Sequence, residues 1–226
     1  MPLAQMVAKM VKIKTNLSDR SNYGGRRTQK VEWIVMHYTA NDGDTDEANA
    51  NYFNRPNLGA SAHFFVDDDS ITVSVPEEYV AWHCGAKAYK HQTCRNANSI
   101  GVEMCDTRRD GKLQATEKTI QNAADLVYHL CKKYKIPYRH IIRHYDVTGK
   151  LCPVYWVNND GLEKFRKRVE EVGEVVTQVD MIVDGKPVRV DRILKDGTNY
   201  IKIRDIARAL DLEVGFSGNK PILSKK

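Results

Sequence analysis

Between residues 31 and 171 the chain alternates between strand-like apolar runs and helical periods, and that alternation restricts the fold more than any other feature. VEWIVMHYTA is mostly apolar, β-branched or aromatic, and reads as a strand. NDGDTD is a loop whose last residues cap a helix over DEANANYFNRP. SAHFFVDDDSITVSVP reads as two strands joined by an acidic turn at Asp67-Asp68-Asp69. AWHCGAKAYKHQTCRNANS is polar with little periodicity, and SIGVEMCD is another short strand. TEKTIQNAADLVYHLCKKYKI is the clearest helix: Thr116 serves as N-cap, apolar residues recur at 120, 123, 124, 127, 130 and 131, and lysines close the end. GLEKFRKRVEEV is a last amphipathic helix. Interleaved strands and helices predict an α/β domain, a mixed central sheet flanked by helices.

The ends read differently. Residues 1–28 are polar, with Gly24-Gly25, and are expected to form an arm or short helix packed on a domain of residues 1–172. After Gly173 the pattern becomes short strands around Asp184-Gly185 and Asp196-Gly197, a short helix over IRDIARAL and a final strand or two. Residues 173–226 are therefore expected to form a small α+β module near the lower size for autonomous folding.

Composition excludes some functions. No apolar run approaches the roughly 18 residues a membrane helix needs, so stable membrane insertion is not expected. The N-terminus lacks an apolar h-region and a small-residue cleavage site, so the expected location is the cytoplasm of the producing cell. A net charge of +6 suits an anionic partner. The Lys and Arg residues are scattered and no nucleic-acid-binding motif accompanies them, so nucleic acid is not the expected partner. Five cysteines, an odd count, argue against a disulfide framework. Cys131, inside the helical pattern, reads as a small buried hydrophobe.

The chemistry concentrates in RHYDVTGKLCP, residues 143–153, which has neither helical nor strand period and reads as a turn-rich loop. His144 and Cys152, together with His37 at the end of the first strand, are candidates for three zinc ligands, against the plain reading of His37 as a hydrogen-bonded structural histidine. Three protein ligands leave a fourth position for water, the catalytic pattern. A fourth protein ligand from Cys84 or Cys94 would make the site structural instead.

The pieces IVMHYTA, SAHFFVD, AWHCG, SIGVEMCD and RHYDVTGKLCP, in that order, resemble the zinc-dependent N-acetylmuramoyl-L-alanine amidases of the amidase-2 type, over about residues 25–170. That family includes phage endolysins and autolysins and, more distantly, peptidoglycan recognition proteins. The resemblance implies one Zn2+ per chain on His37, His144 and Cys152. It implies Glu103 as the catalytic acid–base residue, Lys150 as the stabiliser of the transition state, and His63 and His83 as histidines lining the substrate cleft. Some relatives carry a tyrosine where this chain has Ala62, which places the chain with the branch that relies on Glu103.

The implied substrate is bacterial peptidoglycan, cut between N-acetylmuramic acid and L-alanine of the stem peptide, with Tyr38, Trp82 and Trp156 as candidate contacts. The implied setting is a phage or prophage endolysin that reaches the wall after holin-type release. The rival is a non-catalytic peptidoglycan-recognition protein using the same cleft. VDGKPVRVDRILKDGTNYIKIRDIARALDLEVGF resembles the copper amine oxidase N-terminal-like domain of bacterial surface proteins. That likeness names a fold and not a ligand; wall binding is the expected role of the second module, with homodimer formation as its rival.

Overall fold

The computed structural model describes residues 11–173, 176–195, 198–218 and 220–225. Its contacts divide the chain into two compact units, Met1–Glu170 and Glu171–Lys226.

Among the described residues the first unit has ten strands: β1 (Lys12–Thr15), β2 (Tyr23–Arg26), β3 (Trp33–Tyr38), β4 (Phe64–Val66), β5 (Ser70–Val73), β6 (Tyr79–Ala81), β7 (Ser99–Met104), β8 (Thr107–Arg109), β9 (Lys112–Gln114) and β10 (Ile141–Arg143). Its helices are α1 (Asp46–Phe53), α2 (Glu117–Tyr134), α3 (His144–Thr148) and α4 (Gly161–Val172), the last running just past the unit boundary. Six strands form the central sheet in the order β1-β5-β4-β7-β3-β10. β4, β7, β3 and β10 run parallel, and β5 with β1 runs the other way. Central parallel strands are covered on both faces, which is why their sequences are near-continuous apolar runs. Ile34, Val35, Met36, Ile100, Val102 and Met104 are all fully buried. Each such side chain contributes about 1.5–3 kcal/mol on burial.

Two caps fix the helices against this sheet. Thr45 accepts the Ala48 N–H and starts α1. Thr116 accepts the Thr119 N–H and starts α2. The acidic turn docks on the α2 N-terminus: Asp68 accepts from the hydroxyls of Thr116 and Thr119, and Asn122 donates to the carbonyls of Asp67 and Asp68. Negative charge is favoured at that end of a helix. Ala123, Ala124, Leu126, Val127, Leu130 and Cys131 form the buried face of α2, which ends at Lys135 with φ +56°.

The structure differs from the sequence expectation in several places, and the short strands β6 and β10 are two elements the sequence reading did not assign. Residues 12–15 and 23–26, read as part of an arm or short helix, are strands: β1 extends the central sheet through β5, and β2 pairs with β6. Four-residue edge strands carry too few apolar positions to show a period. Residues 144–148, read as loop, form α3, a helix too short to display a 3.6-residue pattern before Gly149 ends it at φ +86°. The β8–β9 hairpin turns at Asp110-Gly111, both at positive φ, where no strand was expected.

The second unit contains β11 (Val176–Val183), β12 (Lys186–Lys195), β13 (Thr198–Ile201), α5 (Ile203–Ala209), β14 (Leu212–Ser217) and β15 (Lys220–Lys225). β11, β12 and β13 form one antiparallel sheet, and β14 pairs with β15. Asp184 and Gly185 turn the first hairpin at φ +49° and +72°, as a two-residue turn with both central residues left-handed requires. The expected turn at Asp196-Gly197 lies outside the described residues. Val190, Ala207 and Asp205 are buried, and Asp205 accepts the Asp191 N–H at 2.9 Å.

Candidate active site

The site forms at the carboxyl ends of β3, β7 and β10, the edge where side chains of an open parallel sheet meet a ligand. β10 lies beside β3 and leads directly into α3, so His144 emerges next to His37. Arg143 locks the start of α3. Its N–H donates to Asp146 Oδ2 at 2.9 Å, and its guanidinium grips the same carboxylate through Nε at 3.0 Å and Nη2 at 2.7 Å. After Gly149 the chain reverses. The Tyr145 N–H donates to the Cys152 carbonyl at 3.0 Å, which brings Cys152 back beside His144.

His37, His144 and Cys152 thus converge with one ligand atom each, all within 4.8 Å of one another and all three residues buried. His37 Nδ1 lies 3.7 Å from Cys152 Sγ. His144 Nδ1 is buried without a hydrogen-bond partner. Two imidazoles and a thiol are a donor set suited to zinc, and an orphaned buried ring nitrogen is what a ligand awaiting its metal presents. Among the described residues no fourth protein ligand joins the cluster. Cys84 and Cys94 sit instead in an apolar core with Val35, Ile142 and Val147.

The electrostatics suit a cation. Burial, reinforced by His144, His83 and Lys150, holds His37 well below the usual histidine range. Burial and then Lys150 lower His144 to about 4. Both rings are therefore neutral at pH 7 and free to ligate. Burial pushes the Cys152 thiol up and Glu103 adds to it, against the Tyr38 N–H and Lys150. A metal ligand must be thiolate, so binding there releases a proton.

Glu103 is the register partner of His37 across β7 and β3, with Oε1 3.8 Å from His37 Nδ1. Its Oε2 is buried and unpartnered, and 19% of its side chain stays exposed. Burial raises its pKa to about 8; Lys150 pulls it back, while Asp106 and Asp44 push it further up. Glu103 and Lys150 both line a cleft of about 570 Å³ walled by Tyr38, Asn41, Asn49 and Tyr52.

The other expected contacts are distributed unevenly. Tyr38 lines the cleft, and Trp82 is 37% exposed. Trp156 is buried against Phe165. His63 does not reach the cleft: it is fully buried, Gly101 N–H donates to its Nδ1 at 3.0 Å, and its Nε2 faces the Tyr79 carbonyl at 3.2 Å. His83 is 8% exposed and bonds to His37 rather than facing open space. His63, His83, His37 and His144 form a row, with successive ring centroids 5.7, 5.2 and 4.7 Å apart.

Asp106 was not expected at the site. It is 3% exposed, accepts the Ala40 N–H at 2.9 Å and holds Ala40 at φ +60° beside the cleft. Burial raises its pKa to about 7, and the Tyr155 hydroxyl approaches the same carboxyl. Its only sequence mark is its position just after β7.

Known proteins resemble this chain over the region that carries the site. A family profile described as N-acetylmuramoyl-L-alanine amidase matches residues 27–155. The chain is 36% identical over 222 residues to the N-acetylmuramoyl-L-alanine amidase CwlL of Bacillus licheniformis, covering 92% of this chain and 61% of that protein. It is 39% identical over 178 residues to a probable N-acetylmuramoyl-L-alanine amidase of the same species, covering 72% of this chain and 48% of that one. The chain thus spans 61% and 48% of the length of these two relatives. Among solved structures, the catalytic domain of XlyA superposes with a TM-score of 0.60 at 26% identity, covering 70% of this chain and 99% of that one. A mutant endolysin from Bacillus subtilis gives 0.59 at 28% identity, covering 71% and 99%.

Proposed function

This chain belongs to the N-acetylmuramoyl-L-alanine amidase family, and from that premise we propose that it hydrolyses bacterial peptidoglycan at the amide between the lactyl group of N-acetylmuramic acid and L-alanine. The observation that carries the reading is the buried convergence of His37, His144 and Cys152 beside a cleft that also holds Glu103 and Lys150.

One zinc ion held by these three residues would supply a Lewis acid that lowers the pKa of water to about 7 and polarises the scissile carbonyl. Glu103, pointing toward the same position, takes a proton from the attacking water and returns it to the leaving amine of L-alanine. Lys150 places a positive charge at the cleft, where the carbonyl oxygen becomes negative. The half-buried walls of the cleft hold the sugar and peptide in line with these groups.

The role proposed for residues 171–226 is wall binding, which would raise the local concentration of the enzyme at its polymer; self-association is the rival role. Among the described residues no helix is long and apolar enough to cross a membrane. The endolysin branch implies that the enzyme meets the wall after release through a holin-type pore.

The test uses purified cell walls and reads newly exposed L-alanine amino groups alongside bound zinc. The wild type should carry one zinc and release amines. Cys152→Ser should lose both, and Glu103→Gln should keep the metal but not the turnover. Zinc and wall binding without amine release would identify a recognition protein and overturn the enzyme.

A further inference from the structure

We propose that His83 is a positioning residue, which through a directed chain of hydrogen bonds fixes His37 as its Nε2–H tautomer and turns the Nδ1 lone pair toward Cys152 and His144. The inference rests on the zinc reading above.

The direction of the chain follows from donors and acceptors. Ser99 Oγ lies 2.7 Å from the Arg95 carbonyl, which can only accept, so the single hydroxyl proton of Ser99 is spent there. Ser99 Oγ also lies 3.0 Å from His83 Nε2, and must therefore accept from it. A neutral imidazole with its proton on Nε2 has a lone pair on Nδ1. His83 Nδ1 lies 3.0 Å from His37 Nε2, which must then be the donor. With its proton on Nε2, His37 presents a bare Nδ1, the atom 3.7 Å from Cys152 Sγ and 3.8 Å from Glu103 Oε1. The arrangement matches the general rule that a metal-bound histidine donates its other N–H to an outer partner, which sets tautomer and ring orientation.

The seat of His83 is built into β7. Successive side chains on a strand alternate faces, so Ser99, Gly101 and Glu103 share one face. Ser99 accepts from the His83 ring. Gly101 makes room for it: a Cβ there would lie 2.5 Å from His83 Cγ and 2.8 Å from Nδ1. Glu103 stands at the ligand end of the row. One strand thus carries, at a spacing of two, the anchor, the gap and the carboxylate. His83 is held from behind and beneath, and its only free ring nitrogen faces His37.

The experiment uses the full chain. Histidine 15N NMR on metal-free protein reads the tautomer of His37, and competition with a chromophoric chelator reads zinc affinity. Metal-free wild type should show the Nε2–H form of His37. His83→Leu should give a mixture of tautomers and weaken zinc binding by about 10- to 100-fold. His83→Asn, whose side-chain carbonyl oxygen replaces the Nδ1 acceptor, should recover most of that loss, which a purely steric role for the ring would not predict. Ser99→Ala should loosen the tautomer in the same sense, and keeps the chain testable if His83→Leu fails to fold. An Nδ1–H form of His37 in the wild type, or unchanged zinc affinity in folded His83→Leu, would overturn the proposal. An Nε2–H wild type that binds no zinc would support the hydrogen-bond chain and count against the zinc reading alone.

Discussion

His37 and Glu103 face one another as register partners on adjacent parallel strands, with Nδ1 and Oε1 3.8 Å apart. A single strand pairing therefore sets the distance between a candidate metal ligand and the candidate base. The rigid centre of the sheet, not a loop, fixes that distance, and the consequences are measurable.

Desolvation raises the pKa of the half-buried Glu103 to about 8, against an ordinary value of 4.5. In metal-free protein it folds best with its proton on. That stabilisation is complete below pH 4.5 and disappears as pH rises through 8, with a slope of up to about 1.4 kcal/mol per pH unit. Glu103→Gln has no such charge to bury. Its stability relative to wild type should therefore grow from pH 5 to pH 9 when both are unfolded in urea with a chelator present. A difference that stays constant over that range would contradict the burial argument.

Lys150 favours the charged form of Glu103. Lys150→Met should lower kcat by about 10²-fold through loss of its charge at the developing oxyanion. It should also move the acid limb of the pH–rate profile to higher pH, because the carboxyl then holds its proton longer. A fall in rate with an unmoved limb would place Lys150 away from Glu103 during turnover.

Gly101 leaves space that His83 fills. Gly101→Ala puts a methyl 2.5 Å from the ring, and overpacking of this kind costs about 1–3 kcal/mol. Thermal unfolding should report that loss, and zinc affinity should fall with it, because the ring that moves is the one bonded to His37. Loss of stability at undiminished zinc affinity would separate the two.

Removing residues 174–226 should leave cleavage of a small soluble muramoyl peptide close to wild type. Turnover of intact walls at low enzyme concentration should fall by roughly 10²-fold if the second unit tethers the enzyme. Equal losses on both substrates would instead assign the unit to the stability of the first.

Much of this arrangement was legible in the sequence because its signals are local. The apolar runs around His37 and Glu103 mark central strands, and the period and caps of residues 116–135 mark α2. His144, Lys150 and Cys152 were legible only as a cluster in a short segment. The loop reversal that aims them depends on Arg143 gripping Asp146 and on Gly149 at φ +86°, which no periodicity encodes. His63 and His83 looked alike in the sequence, as histidines beside strands. The partners that separate them from the cleft, Gly101, Tyr79, Ser99 and His37, come from distant parts of the chain. The same holds for Asp106, whose role is set by Ala40, 66 positions away. The spacing of Ser99, Gly101 and Glu103 carries no signal in the sequence; its meaning comes from the ring that lies over it.

The most direct test of the central claim is X-ray absorption at the zinc edge on the purified chain of residues 1–226, with metal content measured on the same sample. The account predicts one zinc per chain with a single sulfur ligand at about 2.3 Å and nitrogen or oxygen ligands at about 2.0–2.1 Å, and loss of the sulfur shell in Cys152→Ser. A second sulfur in the wild type would bring in Cys84 or Cys94 and describe a closed structural site. A chain that takes up no zinc would contradict the account outright.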